Sequence, residues 1–291
     1  MTEARGTASS DLDLRSTAEL LDLMNREDAT VAGAVGAALT EIGDVVDEIV
    51  ERLRRGGRLI YVGAGSSGRL AEVDAAECEA TFSTPPGQIV AVVAGSGAPT
   101  ALQREAAEDD DAAGASAVEQ LAAGADDAVI TISASGRTPY ALGAARAARE
   151  AGAFTACVVS ARDSDLARAS DRAIAVLVGP EILAGSTRLK AGTAQKLVLN
   201  MLSTVTMIRL GKTYSGLMVD VVPANDKLRA RVRRIVREAT GASADIVDAA
   251  LASSDGDAKV AIVSILMGID ADEARARLDA ARGNLRHALV P

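Results

Sequence analysis

Five short runs of β-branched and aliphatic residues, each separated from the next by a segment of helical spacing, constrain this chain more than any other feature. The runs are Leu59–Val62, Ile89–Val93, Ala128–Ile132, Thr155–Val159 and Ala173–Val178. Helices are predicted between them at 69–79, 99–122 and 139–151, with a shorter turn near 164–169. Strands that follow one another through a helix pair in parallel, because the crossover returns each new strand in the same direction. The predicted fold class is α/β, a doubly wound five-stranded parallel sheet with helices on both faces. Composition agrees. With 48% hydrophobic but only 2% aromatic residues, the core must be Ala, Val, Leu and Ile, which suits strands buried on both sides.

Ligands of such sheets bind beyond the carboxyl ends of the strands, and two loops there carry chemistry. The first strand runs into Gly63-Ala64-Gly65-Ser66-Ser67-Gly68-Arg69. A strand, a Gly/Ser loop and a helix gather backbone N–H groups and a helix N-terminus around one point, where an anion, most often a phosphate, is held. The third strand runs into Ser133-Ala134-Ser135-Gly136-Arg137-Thr138-Pro139-Tyr140. Here Thr138 is placed to cap the next helix, with Pro139 in its first turn. The hydroxyls of Ser133, Ser135 and Thr138 suit phosphate oxygens or sugar hydroxyls. Alone, this second loop reads equally well as an ordinary capped turn; two such loops at one sheet edge point to a phosphorylated ligand. A third segment, Gly179 to Lys190, leads into a long helix with Ser186 or Thr187 as N-cap. Arg188 and Lys190 fall in its first turn, where positive charge opposes the helix dipole unless an anion lies nearby.

Other readings are narrowed by what is missing. Gly63, Gly65 and Gly68 also spell the dinucleotide fingerprint, but that site needs an acidic residue after the second strand, and Val93-Ala94-Gly95-Ser96 has none. A net charge of −9 argues against nucleic acid as partner. No run is long and apolar enough to span a membrane, and Met1 to Ser10 is polar, without a signal-peptide core and of disordered character. Cys78 and Cys157 show no repeated spacing and read as free thiols in a reducing, cytoplasmic setting. The only histidine is His287, near the end of the chain. Acid–base work therefore falls to carboxylates, Lys or Tyr.

The flanks read as helical. Ser16-Thr17-Ala18-Glu19 is a capping box for a short helix. A longer helix follows with one apolar face, Val31, Val35, Leu39, Ile42, Val46, Ile49 and Leu53. After Asn225 the pattern is entirely helical, at Leu228–Ala239, Ala244–Ala252, Ala258–Leu266 and Ala271–Ala280. The expected division is an N-terminal helical segment, 1–55, a phosphosugar-binding domain, 56–228, and a small three-helix module, 229–291.

The two loops, together with Asp74-Ala75-Ala76-Glu77-Cys78, the segment Gly179 to Lys196, Asn200-Met201-Leu202-Ser203-Thr204 and Leu217-Met218-Val219-Asp220-Val221-Val222, carry a more specific likeness. Over residues 58–228 the chain resembles the N-acetylmuramic acid 6-phosphate etherases, sugar isomerase (SIS) fold proteins related to the glucokinase regulatory protein. It departs from that family at Glu79-Ala80, where prolines are expected, which implies a different local turn.

The resemblance implies a lyase that removes D-lactate from N-acetylmuramate 6-phosphate by elimination and hydration, in recycling of cell-wall amino sugars, with no metal and no redox cofactor. It implies Glu77 as proton donor to the leaving lactate and Glu108 as base. The phosphosugar would be held by Gly65, Ser66, Ser67, Arg69, Ser133, Ser135, Gly136, Arg137, Thr138 and Lys190. A continuous helix over 69–77 would set Glu77 about 12 Å from the phosphate loop. Either that helix ends early or Glu77 serves a neighbouring subunit; the second option predicts a homodimer with sites near the subunit interface. The competing readings are a regulatory protein that binds a phosphosugar without turnover and a sugar-phosphate isomerase.

Overall fold

The computed structural model describes Ala4, residues 11–221 and residues 225–290; apart from Ala4, the stretch expected to be disordered, 1–10, lies outside them. The described chain forms two compact units. One comprises the residues up to Ala75 with Gly87–Ser203, and the other Ala76–Pro86 with the residues from Thr204 onward.

The first unit is built on β1 (Leu59–Gly63), β2 (Ile89–Val93), β3 (Ala128–Ile132), β4 (Phe154–Val159) and β5 (Arg172–Ala175), all parallel, in the order β2-β1-β3-β4-β5. The predicted five-stranded sheet is present. Every residue of β1, β3 and β4 is buried, as a strand covered on both faces requires, while the edge strands β2 and β5 are only partly covered. Chain order reverses between β1 and β3, so the loops that leave these neighbouring strands open into the same crevice. Their last residues are in register, Gly63 opposite Ile132, which brings the two Ser/Gly loops side by side.

The helices of this unit depart from the sequence pattern in three places. The helix after β1, α4, starts at Gly65, inside the Gly/Ser loop, and runs unbroken to Phe82, straight through Glu79 and Ala80. There is no turn at these two residues, since neither is a proline that would stop the helix. The single helix expected over 99–122 is instead α5 (Ala101–Ala106), a 3-10 turn at Ala107–Asp109 and α6 (Asp111–Gln120). Asp110 breaks it by capping α6, its Oδ1 accepting from the Ala113 amide at 2.8 Å. The long N-terminal helix is likewise two, α2 (Val31–Gly36) and α3 (Leu39–Arg54), with a 58° bend between Thr17–Gly36 and α3. Leu39, at the break, points outward while the rest of the predicted face is buried. The Ser16–Glu19 box does open α1 (Thr17–Asp28), the Ser16 amide donating to Glu19 Oε2 at 2.8 Å.

Packing is made from small residues. α7 (Pro139–Glu150) lies so close to α6 that a Cβ on Gly114 would meet the Tyr140 carbonyl oxygen at 1.9 Å, and one on Gly143 the Asp111 carbonyl oxygen at 2.0 Å. The crossing is backbone against backbone and fixes the break before α6 against the start of α7. Below β1, Arg58 reaches Asp127 with Nε and Nη2, at 3.0 and 2.7 Å. Beyond β4 come α8 (Asp165–Ala169), in the connection to β5, and α9 (Lys190–Arg209) after that strand.

The second unit contains the hairpin β6 (Thr213–Tyr214) and β7 (Leu217–Met218) and five helices, α10 (Asp226–Thr240), α11 (Ala244–Ser253), α12 (Ala258–Met267), α13 (Ala271–Ala280) and α14 (Leu285–Ala288), where a three-helix module is expected. Gly241 and Gly268 end α10 and α12 in the left-handed conformation. Among the described residues no single helix is long and apolar enough to cross a membrane.

The Arg58–Asp127 pair makes one prediction about acid stability. Burial raises the Asp127 carboxyl, but the Arg58 guanidinium and the Gly124 and Arg58 amides outweigh it and hold the group below its ordinary value. Its stabilisation is therefore complete above the ordinary carboxylate value and is lost as pH falls through the depressed one. Asp127→Asn should cost about 1–2 kcal/mol at pH 7 in urea unfolding, and the gap to the parent protein should close as the pH falls through the depressed value of this carboxyl.

Candidate active site

Five segments of the first unit bound one cavity of about 830 Å³ at the carboxyl end of the sheet: the start of α4, the end of β2 with the start of α5, the 3-10 turn before α6, the loop after β3 and the stretch Gly185 to Arg188. That volume lies within the range of small-molecule sites. The wall formed by α4 depends on how tightly the helix follows its strand. A Cβ on Gly68 would meet the Gly63 carbonyl oxygen at 2.8 Å and Val93 at 2.7 Å, so glycines let the first helical turn sit on the strand end. Of that turn, the Gly68 amide donates to the Ala64 carbonyl at 3.1 Å, while the amides before it stand at a helix start, the arrangement that attracts anions. Ser67 Oγ donates to Gln195 Oε1 on α9 at 3.0 Å, and Arg69 donates to Ser66 Oγ at 3.3 Å. Gln195, absent from the predicted site, is almost fully buried and locks Ser67 in place. Nothing in the sequence sets it apart from the other polar residues of the same helix, such as Thr193, Asn200 and Ser203.

The loop after β3 forms a hydroxyl chain. Ser133 Oγ lies 2.8 Å from Thr138 Oγ1 and 3.4 Å from Ser135 Oγ, and accepts from the Gly136 amide at 3.1 Å. Thr138 occupies the N-cap position of α7 but makes no side-chain cap. Its hydroxyl instead donates to Glu108 Oε1 at 3.2 Å. The expected capping role is thus replaced by a contact to the acid that the family resemblance names as base.

Glu108 itself is not on a helix face. It stands in the 3-10 turn, with Oε2 3.6 Å from where a Cβ on Gly65 would be, so one carboxylate touches both loops. Its acidic neighbours turn elsewhere: Asp110 caps α6 and Asp111 pairs with Arg146. Of the residues expected to bind, Gly65, Ser66, Ser67, Arg69, Ser133, Ser135 and Thr138 line the cavity with Glu108. Gly136, Arg137, Lys190 and Glu77 do not. Gly136 serves through its amide, and Arg137 is exposed.

Lys190 is engaged within the chain. Its Nζ pairs with Glu27 Oε2 at 2.5 Å and the residue is buried, while the Lys190 and Ala191 amides donate to the two oxygens of Glu181, at 3.0 and 2.9 Å. An anion does accompany the cation in the first turn of α9, but it belongs to the chain itself. Glu181 also replaces Ser186 and Thr187 as the cap. Glu77 is exposed on α4, eight residues after Arg69 in the same unbroken helix, and belongs to the second unit. Residues of the wall that the sequence pattern did not single out include Glu72, one turn after Gly68, and Arg104, whose Nη1 donates to the Ala98 carbonyl at 2.8 Å. Two further titratable groups are unsuited to catalysis. Burial, with the charge of Asp110 second, raises the Tyr140 phenol, and burial pushes the Cys157 thiol up to about 12.

The geometry defines a loop-walled cavity at the carboxyl end of a parallel sheet of SIS topology, and comparison agrees on the fold. A model of the SIS domain matches residues 112–205, and one of the glucokinase regulatory protein N-terminal SIS domain matches residues 41–148. An Escherichia coli protein, solved with a small ligand bound, superposes with a TM-score of 0.50 at 19% identity, over 69% of this chain and 97% of its own. A Bacteroides fragilis protein assigned to the phosphosugar isomerases does so at 0.52 and 19%, over 69% and 95%. At such identities the likeness is one of fold.

Curated relatives are far more similar. N-acetylmuramic acid 6-phosphate etherases of Rubrobacter xylanophilus, Streptomyces avermitilis and Mycolicibacterium smegmatis are 54%, 52% and 51% identical, each over 99% of this chain and over 95%, 93% and 97% of their own lengths. The chain belongs to the N-acetylmuramic acid 6-phosphate etherase family.

Removing a single hydroxyl from the loops tests the wall as a binding surface. Ser67→Ala and Ser135→Ala should each weaken affinity for a 6-phosphorylated amino sugar about tenfold by calorimetry. An unchanged affinity in both would place the phosphate elsewhere.

Proposed function

We propose that the protein cleaves the D-lactyl ether of N-acetylmuramate 6-phosphate, releasing D-lactate and N-acetylglucosamine 6-phosphate by elimination and hydration. The observation that carries the reading is Glu108, a carboxylate held by Thr138 between two anion-binding loops, in a chain of the etherase family. The phosphate is taken by the first-turn amides of α4 and by the hydroxyl of Ser135, while Ser133 donates to Thr138 and Thr138 to Glu108, which holds that carboxylate in place. Opening of the sugar ring exposes the C1 aldehyde, which acidifies the hydrogen on C2. Glu108 takes that proton. The C2 electron pair forms the C2–C3 double bond, the C3–oxygen bond breaks, and Glu77 gives a proton to the departing lactate oxygen. Water then adds to C3, losing its proton to Glu77, and Glu108 returns a proton to C2, so both acids regain their starting states.

Glu77 cannot reach its own chain's loop along a straight helix, so in this reading it serves the cavity of a second copy. That makes the active form a homodimer with composite sites. A role in recycling cell-wall amino sugars calls for the cytoplasm, where phosphorylated sugars are retained and a buried thiol such as that of Cys157 stays reduced.

An assay of D-lactate release from N-acetylmuramate 6-phosphate tests the activity; no release at micromolar enzyme refutes it. Glu108→Gln and Glu77→Gln should each lower kcat by about 10³-fold or more with binding of N-acetylglucosamine 6-phosphate retained. Mixing the two inactive variants separates the acids by subunit. Composite sites should restore about a quarter of the parental activity, since a hybrid dimer holds one intact site. No recovery, with a larger loss in Glu72→Gln than in Glu77→Gln, would assign the acid to Glu72 of the same cavity.

A further inference from the structure

Beside the main cavity lies a second depression of about 450 Å³, joined to it through Ser66, Arg69 and Arg188, which line both. Its wall carries three cations, Arg69, Arg188 and Lys196, and no acid. Among the described residues none of the three makes an ion pair. In a chain of net charge −9, where arginines such as Arg146, Arg168 and Arg233 pair with acids, three cations on one wall are a local concentration of positive charge. The floor is apolar, formed by Leu70 and the exposed Val73.

We propose that Arg188, with Arg69 and Lys196, is a carboxylate subsite that reads the lactyl group of the substrate. The inference rests on the etherase reading, because that substrate carries two anions on one sugar, a phosphate at C6 and a carboxylate on the C3 substituent. The first is matched by amides and hydroxyls at the start of α4 and after β3. The second calls for a planar, bidentate cation, which a guanidinium provides. The methyl group of the lactyl arm finds Leu70 and Val73. Because the carboxylate does not change charge as the ether breaks, the subsite acts on binding more than on the chemical step. It also separates substrate from product, since N-acetylglucosamine 6-phosphate has lost the carboxylate.

The test compares the two ligands. Arg188→Ala should raise KM for N-acetylmuramate 6-phosphate about tenfold or more, with a smaller fall in kcat. Its affinity for N-acetylglucosamine 6-phosphate should stay within about twofold of the parent by calorimetry. Arg188→Lys, which keeps the charge and loses the fork, should fall between, and Lys196→Ala should show the same pattern more weakly. Equal weakening of both ligands would assign the cations to the phosphate or the sugar and overturn the subsite, as would no effect on either. A parent enzyme that releases no D-lactate overturns the etherase reading itself, a result distinct from these.

Discussion

The site depends on a contact in which no side chain takes part. Gly68 of α4 rests against the carbonyl of Gly63 at the end of β1, and neither position has room for a Cβ. Because the helix begins directly on the strand, its free amides are delivered to the rim of the sheet rather than to the end of a flexible loop. The reversal of strand order between β1 and β3 then sets a second loop beside them. A rigid pair of anion-binding walls follows from backbone geometry before any charged residue is considered. Catalytic and specificity groups are added around it from elements that the same sheet holds in place.

This division explains which parts are legible in the sequence. The strands are visible because each is a short β-branched run flanked by breakers, and a strand buried on both faces has no other composition open to it. The two loops are visible because amide-rich anion sites require glycine and serine. Long-range side-chain pairing is not visible. Glu181 and Glu27 claim Lys190, a pairing over 163 residues in one case, and nothing local announces it. Asp110 interrupts an otherwise periodic helix by capping the next one, and the pattern of apolar residues continues across the break. Thr138 occupies a capping position beside a carboxylate that also claims its hydroxyl; only the fold decides which of the two it serves. Glu108 itself is named through family resemblance, because an acidic run on a presumed helix carries no chemical signal of its own.

Two carboxylates on differently constructed elements suit the proposed chemistry. Glu108 is fixed by a hydroxyl from the loop after β3, next to the start of α4, so its distance from a bound phosphate is set by the sheet. Glu77 is set by a helix, whose rise of about 1.5 Å per residue is equally unyielding. The small-residue crossing of α6 and α7, with Gly114 and Gly143 at the contact, extends this stiffness to the turn that bears Glu108.

Glu181 has a consequence of its own. The open end of α9 would otherwise be another electropositive mouth only a few residues from Gly185 to Arg188 in the cavity wall. By plugging it with a resident counter-ion, the chain removes a decoy for the phosphate. A sugar carrying two negative groups is thereby left fewer ways to lie down, and a head-to-tail reversal of the ligand loses one of its footholds.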